Sequence, residues 1–177
     1  MRIGPGDVAL SAEELRVVAR FAADSADEVL PIFEEGHDDA RPRAAVSAAR
    51  AFADGADRTK VQRITALDAH RAAREATSEA AKHAASAAGD AAAAAYLHPL
   101  AQATQVGHIL RAAAHAARAA ELVAGDVPGV GEQRVELARL RATPVLVDVL
   151  RRYPRAPAGR SRVAQLMTIL DDSLRSP

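Results

Sequence analysis

Residues 30–43 read Leu-Pro-Ile-Phe-Glu-Glu-Gly-His-Asp-Asp-Ala-Arg-Pro-Arg and join two alanine-rich segments that have helical patterning. Gly36 supplies the permissive backbone on which a helix ends, and Asp39 or a neighbour can cap the helix that follows. Pro42 fits the first turn of that second helix, because the N–H group that proline lacks has no partner there. The stretch therefore predicts a connection between two helices, and its many charged residues make it the first candidate for a functional site.

The segments on both sides of this connection also carry helix signals. Ser11 followed by Glu14 is a capping-box pattern, and Thr59 can cap a long helix downstream. Gly89 is expected to end that long helix, and Asp90 to cap the next one. The predicted helices cover residues 11–22, 24–36 with a kink at Pro31, 41–55, 60–88, 91–123 with a break at Pro99, 132–153 with a break at Pro144, and 159–174.

Composition indicates an all-α fold. Alanine makes up about a quarter of the 177 residues and aromatic residues only 3%, which is typical of closely approaching helices, and no run alternates with the period of a strand. We expect a single-domain array of about seven to nine alanine-rich helices, with stacked helical pairs as one arrangement. Residues 1–131 form the alanine-rich helical core, and residues 132–177 form a C-terminal helical extension of the same domain.

The charges are balanced overall and uneven along the chain. The formal net charge is zero, which predicts no nucleic-acid partner and no attraction to an anionic membrane. Residues 1–40 carry three arginines against ten acidic residues, whereas residues 132–177 carry nine arginines against five. This asymmetry indicates either internal pairing of the two ends or a polar surface for a partner.

The absence of cysteine excludes disulfides and thiolate metal sites. The first residues lack the apolar core of a signal peptide, and no apolar run reaches the roughly 18 residues of a membrane span. We therefore expect a soluble cytoplasmic protein.

Several motifs resemble those of a known family. The runs at residues 30–34 and 38–43, followed by an alanine-rich helix that ends at residues 51–55, resemble a family of all-α proteins predicted to be immunity proteins of bacterial polymorphic toxin systems. Its pattern is leucine-proline-x-phenylalanine-glutamate, then aspartate-x-arginine-proline. The resemblance covers about residues 15–152. It implies an all-α protein that binds a toxin.

Two departures from the family pattern are visible. The family's later tyrosine and lysine correspond to His115 and Arg118, and its tryptophan-glutamine pair is replaced near Val135 and Glu136. Residues 155–177 lie outside the pattern.

The histidines and arginines of the predicted helices form a second candidate site. His108 and His115 are seven residues apart and share a helical face, and Arg111 and Arg118 follow them at a spacing of three. Such a face can hold an anion. His70 with Arg74 can meet Asp38 or Asp39 across the bundle, although a histidine satisfied within the core is the simpler interpretation. His108 and His115 lie about 10.5 Å apart along the axis, too far to share a metal ion, and we predict no metal site.

Two functions from different classes follow. The first is an immunity-like protein whose polar groove binds a protein toxin or another protein partner without chemistry or a cofactor. The second is a small-molecule-binding or biosynthetic helical enzyme for an anionic ligand, with His70, His108 and His115 as acid or base. An enclosed cavity lined by several of these histidines and arginines would favour the second function, whereas their scattering over the surface would exclude it. The candidate binding residues are Asp38, Asp39, Arg41, Arg43, His70, Arg74, His108, Arg111, His115 and Arg118.

Each interpretation has a simpler structural alternative. Asp39 and Arg41 can serve only as a helix cap and an ion pair. A third function, an oligomerising scaffold, needs an exposed apolar face, for which the C-terminal helix around Leu166 and Leu170 is the candidate.

Overall fold

Nine α-helices lie within residues 7–176, the range that the computed structural model describes. Short 3₁₀ helices cover Ala94–Tyr96 and Ala103–Gln105. The prediction of an all-α single domain with seven to nine helices is confirmed. Residues 1–6, where the sequence predicts no signal peptide, lie outside the described range, as does residue 177. The helices are α1 (Ala12–Asp27), α2 (Leu30–Glu34), α3 (Arg41–Ala53), α4 (Lys60–Glu75), α5 (Glu79–Ala93), α6 (Val106–Val123), α7 (Pro128–Arg141), α8 (Pro144–Arg151) and α9 (Arg162–Arg175).

Side-chain caps begin most of the long helices. Ser11 and Glu14 form the predicted capping box on α1, with the Ser11 N–H donating to Glu14 over 2.7 Å. Thr59 caps α4 in the same way with Gln62. The first helix continues to Asp27, beyond the predicted end, because Ala23 and its neighbours are buried and extend the apolar face by another turn.

The prediction of one long helix over residues 60–88 is wrong, because the chain turns between α4 and α5. Ala76 has an extended backbone, and the Ser78 hydroxyl accepts the Ala81 N–H to cap α5. The Thr77 N–H donates to Nε2 of His37 over 3.0 Å instead of to a helical carbonyl. A side chain from the α2–α3 loop therefore helps to end α4.

The prediction that Gly89 and Asp90 separate two helices is also wrong. Both residues are buried within α5. A β-carbon on Gly89 would come within 2.8 Å of the His70 ring on α4, so glycine allows these two helices to approach closely. Gly89 therefore serves the packing of α5 on α4, and Asp90 forms an ion pair with Arg111 of α6.

The core is built around α5, which packs against α1, α2, α3, α4 and α6. Most of its alanines are buried, and small side chains allow neighbouring helix backbones to lie close. Larger side chains fill the remaining space, chiefly Phe33, Leu30, Ile109 and Leu110. Asp90 is thus buried within the helix that packs against five others.

The C-terminal helices close one side of this core. Helix α9 packs against α6 and α7, and α8 packs against α1. Leu166 and Leu170 are fully buried, so the predicted apolar face for oligomerisation is wrong: these leucines complete the core of the chain itself. None of the helices within residues 7–176 has both the length and the apolar character that crossing a membrane requires.

Acidic residues near the N-terminus form ion pairs with arginines near the C-terminus of the same molecule. Arg152 donates to Glu14 over 2.6 Å, and Glu28 binds both Arg141 and Arg134. The N-terminal acidic residues and the C-terminal arginines therefore compensate one another in part, as one of the two sequence alternatives predicts.

Candidate functional site

The first candidate site is the loop cluster, which comprises Asp38, Asp39, Arg41 and Arg43 at the connection between α2 and α3. Arg41 forks onto Asp39, with Nε 2.9 Å from Oδ1 and Nη2 2.6 Å from Oδ2. Asp39 Oδ1 also accepts the backbone N–H of Arg41 at 3.0 Å. These hydrogen bonds from Arg41 hold the pKa of the Asp39 carboxyl below its usual value. Arg41 binds Glu75 as well, so it ties the loop to the end of α4.

Arg43 fixes the other side of the loop cluster. Its Nε and Nη2 atoms donate to the two Glu34 oxygens over 2.8 and 2.6 Å, and Nη1 donates to Asp27 over 3.3 Å. The Glu34 hydrogen bonds raise the pKa of the Arg43 guanidinium. Asp38, in contrast, is exposed and forms no ion pair with any residue in the range 7–176. Asp38 is therefore the group of this cluster whose charge remains available.

His37 connects the loop cluster to α2 and to the turn that precedes α5. Its ring stacks on Phe33 with a centroid separation of 4.4 Å. Nδ1 lies 2.9 Å from the Phe33 carbonyl oxygen, and Nε2 accepts the Thr77 N–H. This arrangement requires the neutral tautomer with the proton on Nδ1. The loop is thus held by α2 and by the start of α5.

The second candidate site is the Asp90 cluster, which comprises His70 of α4, His83 and Asp90 of α5, and Arg111 and His115 of α6. Arg111 donates to Asp90 Oδ1 through Nε at 3.0 Å and Nη2 at 2.7 Å. The Nε2 atoms of His70 and His115 lie 3.6 Å from Oδ1 and 3.7 Å from Oδ2. Oδ2 is buried and accepts no hydrogen bond from the described residues. Three helices therefore place cationic or titratable groups around one buried carboxylate.

A hydrogen bond between two histidines extends this cluster toward the surface. Nδ1 of His83 lies 2.8 Å from Nδ1 of His115, so one ring donates and the other accepts. Burial lowers the pKa of His115 to about 4, although the nearby Asp90 carboxylate opposes this shift. Burial also lowers the pKa values of His70 and His83. At neutral pH the histidines of the cluster are uncharged, and the charge pair is Asp90 with Arg111.

Two separate cavities border the Asp90 cluster. One, of about 350 Å³, lies between it and α9 and is lined by His83, Arg111, His115, Ser161, Val163, Ala164 and Met167. The other, of about 200 Å³, lies on the α4 side and includes His70. A larger cavity, of about 600 Å³, lies elsewhere, beside Val8, Arg58 and Arg152. The histidines are thus divided between two shallow cavities instead of lining one enclosed chamber.

The structure separates the predicted site residues into several groups. His70, Arg111 and His115 come together at Asp90. His70 forms no ion pair with Asp38 or Asp39 in the described range. Its ring lies against Gly89 and Asp90 of α5. The remaining candidates have other direct contacts or none: His108 faces the Ala93 carbonyl, Arg118 pairs with Glu121 and Asp126, and Arg74 is exposed on α4.

Sequence reasoning did not assign Asp90 or His83 to a site. Both lie on one face of α5, seven residues apart, and that spacing would indicate a shared face if the helix is read without a break at Gly89. Within residues 7–176, no three histidine or acidic side chains are arranged to hold a metal ion.

A model of a known family matches most of the chain. Residues 9–142 match the family model described as Imm-5 like putative immunity protein. The matched range contains the loop cluster and the Asp90 cluster and ends before α8 and α9. No curated protein and no solved structure shows significant similarity to the chain.

Proposed function

Because the chain belongs to the Imm-5 like putative immunity protein family, we propose that it neutralises a protein toxin by binding it in the cytoplasm of a bacterial cell. The family match over residues 9–142 is the observation that carries this proposal. Neutralisation requires a stable surface complementary to the toxin and no reaction. The chain acts as a rigid binding partner in this function.

The loop cluster is the part of the surface that we assign to toxin binding. Arg41 is bound by Asp39 of the loop itself and by Glu75 of α4. Arg43 is bound by Asp27 and Glu34 of α1 and α2, and together these ion pairs hold the loop in one conformation before a partner arrives. Preorganisation of this kind reduces the entropy that binding costs. At the edge of this loop, Asp38 presents a carboxylate that forms no ion pair with the described residues. A basic residue of the toxin is therefore its expected partner.

The experiment begins with capture of a partner. The tagged chain is used to isolate bound proteins from a lysate of the native cell, and each captured protein is then produced in a test cell with and without the chain. We expect one captured protein to arrest growth alone and to lose this effect when the chain is present. A captured set without any toxic member overturns the proposal.

Variants of the loop cluster test the assigned surface. Asp38→Ala removes a side chain that has no partner within the described chain, so the fold stays intact and reduced protection reports on binding alone. Asp39→Ala and Arg41→Ala remove the support of the loop and should also reduce protection. Full protection by all three variants would move the toxin-binding surface away from this loop.

A small-molecule pocket is the second candidate function. The cavity of about 350 Å³ is lined by His83, Arg111 and His115, and its size falls in the range of small-ligand sites, roughly 300–1,000 Å³. An anionic metabolite is the expected ligand. Mass spectrometry of small molecules in the same captured material tests this function, and Arg111→Ala should release any such metabolite.

A further inference from the structure

The outer face of α4 carries an apolar stripe. Val61, Ile64 and Leu67 are spaced by three residues and are 49%, 48% and 53% exposed. Side chains at this spacing are neighbours on a helix surface, so the three form one continuous strip. Contiguous exposed aliphatic groups with polar neighbours are typical of protein interaction sites.

The stripe leads into the smaller of the two cavities beside the Asp90 cluster. This cavity, of about 200 Å³, is lined by Arg63, Ala66, Leu67, His70, Ala93 and Tyr96. It is smaller than the roughly 300–1,000 Å³ of typical small-ligand sites, so it suits a single anchoring side chain of a larger partner.

The wall formed by Tyr96 is fixed in place. Its hydroxyl donates to the Thr59 carbonyl oxygen over 2.7 Å. The guanidinium groups of Arg58 and Arg63 lie 5.4 and 4.9 Å from the ring centroid, within the range of cation–π contacts. The cavity therefore has a rigid aromatic wall with two cations beside it.

The polar groups beside the stripe have a positive balance. Two of the nearby carboxylates are already engaged, since Asp68 binds Arg71 at 2.7 Å and Glu75 binds Arg41. Asp57, which precedes the helix, is exposed. Four cationic side chains form no ion pair with any residue in the range 7–176: Arg58, Lys60, Arg63 and Arg74. A partner that covers the stripe would place its own side chains against these unpaired cationic groups.

We infer that the outer face of α4 is a docking surface for a protein that presents a bulky apolar side chain flanked by carboxylates. The apolar side chain enters the cavity beside Tyr96, and the carboxylates meet Lys60, Arg63 and Arg74. This inference rests on the proposed function and names the surface and the chemistry of the partner. Arg41 joins the loop cluster to the end of α4 through Glu75, so one partner can contact both surfaces.

The test uses the purified chain and a library of short random peptides displayed on phage. We expect the selected peptides to share a large apolar residue next to aspartate or glutamate. Leu67→Asp should lower the affinity of a selected peptide by at least about 10-fold, because it places a carboxylate at the centre of the stripe. Leu140→Asp is the matched control: Leu140 is an exposed leucine on α7, and its replacement should leave peptide affinity unchanged.

A second variant reverses a charge without disturbing the helix. Lys60 is the first residue of α4, and a carboxylate is favoured at a helix N-terminus, so Lys60→Glu preserves the fold. We expect it to weaken peptide binding by about 3- to 10-fold at low salt, and by less at high salt where charges are screened.

Four results with the purified chain would overturn the inference: no peptide is selected, the selected peptides lack acidic residues, they bind Leu67→Asp as well as the original chain, or the original chain is a dimer that Leu67→Asp converts to a monomer. The last result would identify a second copy of the chain as the occupant. The test of this docking surface and the test of the proposed function can fail independently of each other. Full protection against a captured toxin by Leu67→Asp overturns this inference alone, whereas selected acidic peptides without any captured toxin support the docking surface and count against neutralisation.

Discussion

Nε2 of His115 lies 3.7 Å from Oδ2 of Asp90, an oxygen that is buried and accepts no hydrogen bond within the described chain. A histidine beside a carboxylate usually gains affinity for a proton, because the opposite charge favours the protonated ring. Here burial has the larger effect, and the pKa of His115 falls to about 4. Arg111, which already binds Asp90, adds its positive charge in the same direction. The balance of these three effects gives the Asp90 cluster its expected response to pH.

The stability of the chain should fall as the pH is lowered from about 6.5 to about 4. The pKa of His115 is depressed from 6.5 in the folded state, so the unfolded state binds more protons in this interval and acid favours unfolding. The loss attributable to His115 is at most about 3 kcal/mol. The measurement is urea denaturation at a series of pH values, and His115→Gln should have a shallower dependence. The stability that the Glu14 and Asp39 carboxyls contribute, through their lowered pKa values, is lost on protonation below about pH 5 and so overlaps only the acid end of this interval.

Replacement of Arg111 should raise the pKa of His115 and of His70. The guanidinium charge lowers the pKa of both rings, and its removal leaves Asp90 without its main partner. Arg111→Ala is compared with the original chain by NMR titration of the histidine ring protons. Arg74→Ala is the matched control, since Arg74 lowers the pKa of His70 and is not among the causes that act on His115. Equal pKa values for His115 in Arg111→Ala and in the original chain would contradict this account.

Arg162 should contribute substantially to stability although it begins the last helix. It donates to the fully buried Glu121 through Nε and Nη2, at 2.9 and 2.7 Å. Arg162→Ala leaves Glu121 with Arg118 alone, and an incompletely paired buried carboxylate is costly. We expect a loss of about 2 kcal/mol in the free energy of unfolding, measured by urea denaturation. Arg160→Ala, which changes an exposed arginine two residues earlier, should have no measurable effect, and equal stabilities of the two variants would refute the role of Arg162.

The two neighbouring aspartates of the loop cluster should differ in their effect on stability. Asp39 accepts hydrogen bonds from the backbone and guanidinium of Arg41, so Asp39→Ala should reduce the free energy of unfolding by about 1 kcal/mol. Asp38→Ala should leave it unchanged. Thermal and urea denaturation of both variants provide the measurement. A larger loss for Asp38→Ala than for Asp39→Ala would show that the loop is held in some other way.

Local sequence signals were sufficient for much of the fold. The capping box at Ser11, the Thr59 cap and the proline in the first turn of α3 were predictable, because each depends on hydrogen bonds or sterics within a few residues. The break between α4 and α5 was missed, since one of its supports is a hydrogen bond from Thr77 to His37, forty positions earlier in the chain. The continuous α5 was missed because a buried Gly89–Asp90 pair looks like a helix end when only local propensity is considered.

The candidate site likewise combines features that were predictable from the sequence with features that required the structure. The charged residues of the loop cluster were identifiable from their density, but their pairing with Glu34, Glu75 and Asp27 required the positions of α1, α2 and α4. Face sharing by Arg111 and His115 followed from their spacing on α6. Their convergence with His70 on Asp90 did not, because residues on three different helices have no fixed relation in sequence.

The sequence by itself determined the all-α class, the starts of α1, α3, α4 and α8, and the family to which residues 9–142 belong. These properties follow from side-chain periodicity, capping and local motifs, all of which act over one or two helical turns. Only the tertiary structure decided that Asp90 is buried, which arginines are already neutralised, and that the apolar stripe on α4 remains uncovered. Those outcomes depend on which helix faces pack together. In an alanine-rich chain many helix faces are similar in sequence, so the sequence alone does not identify the faces that pack.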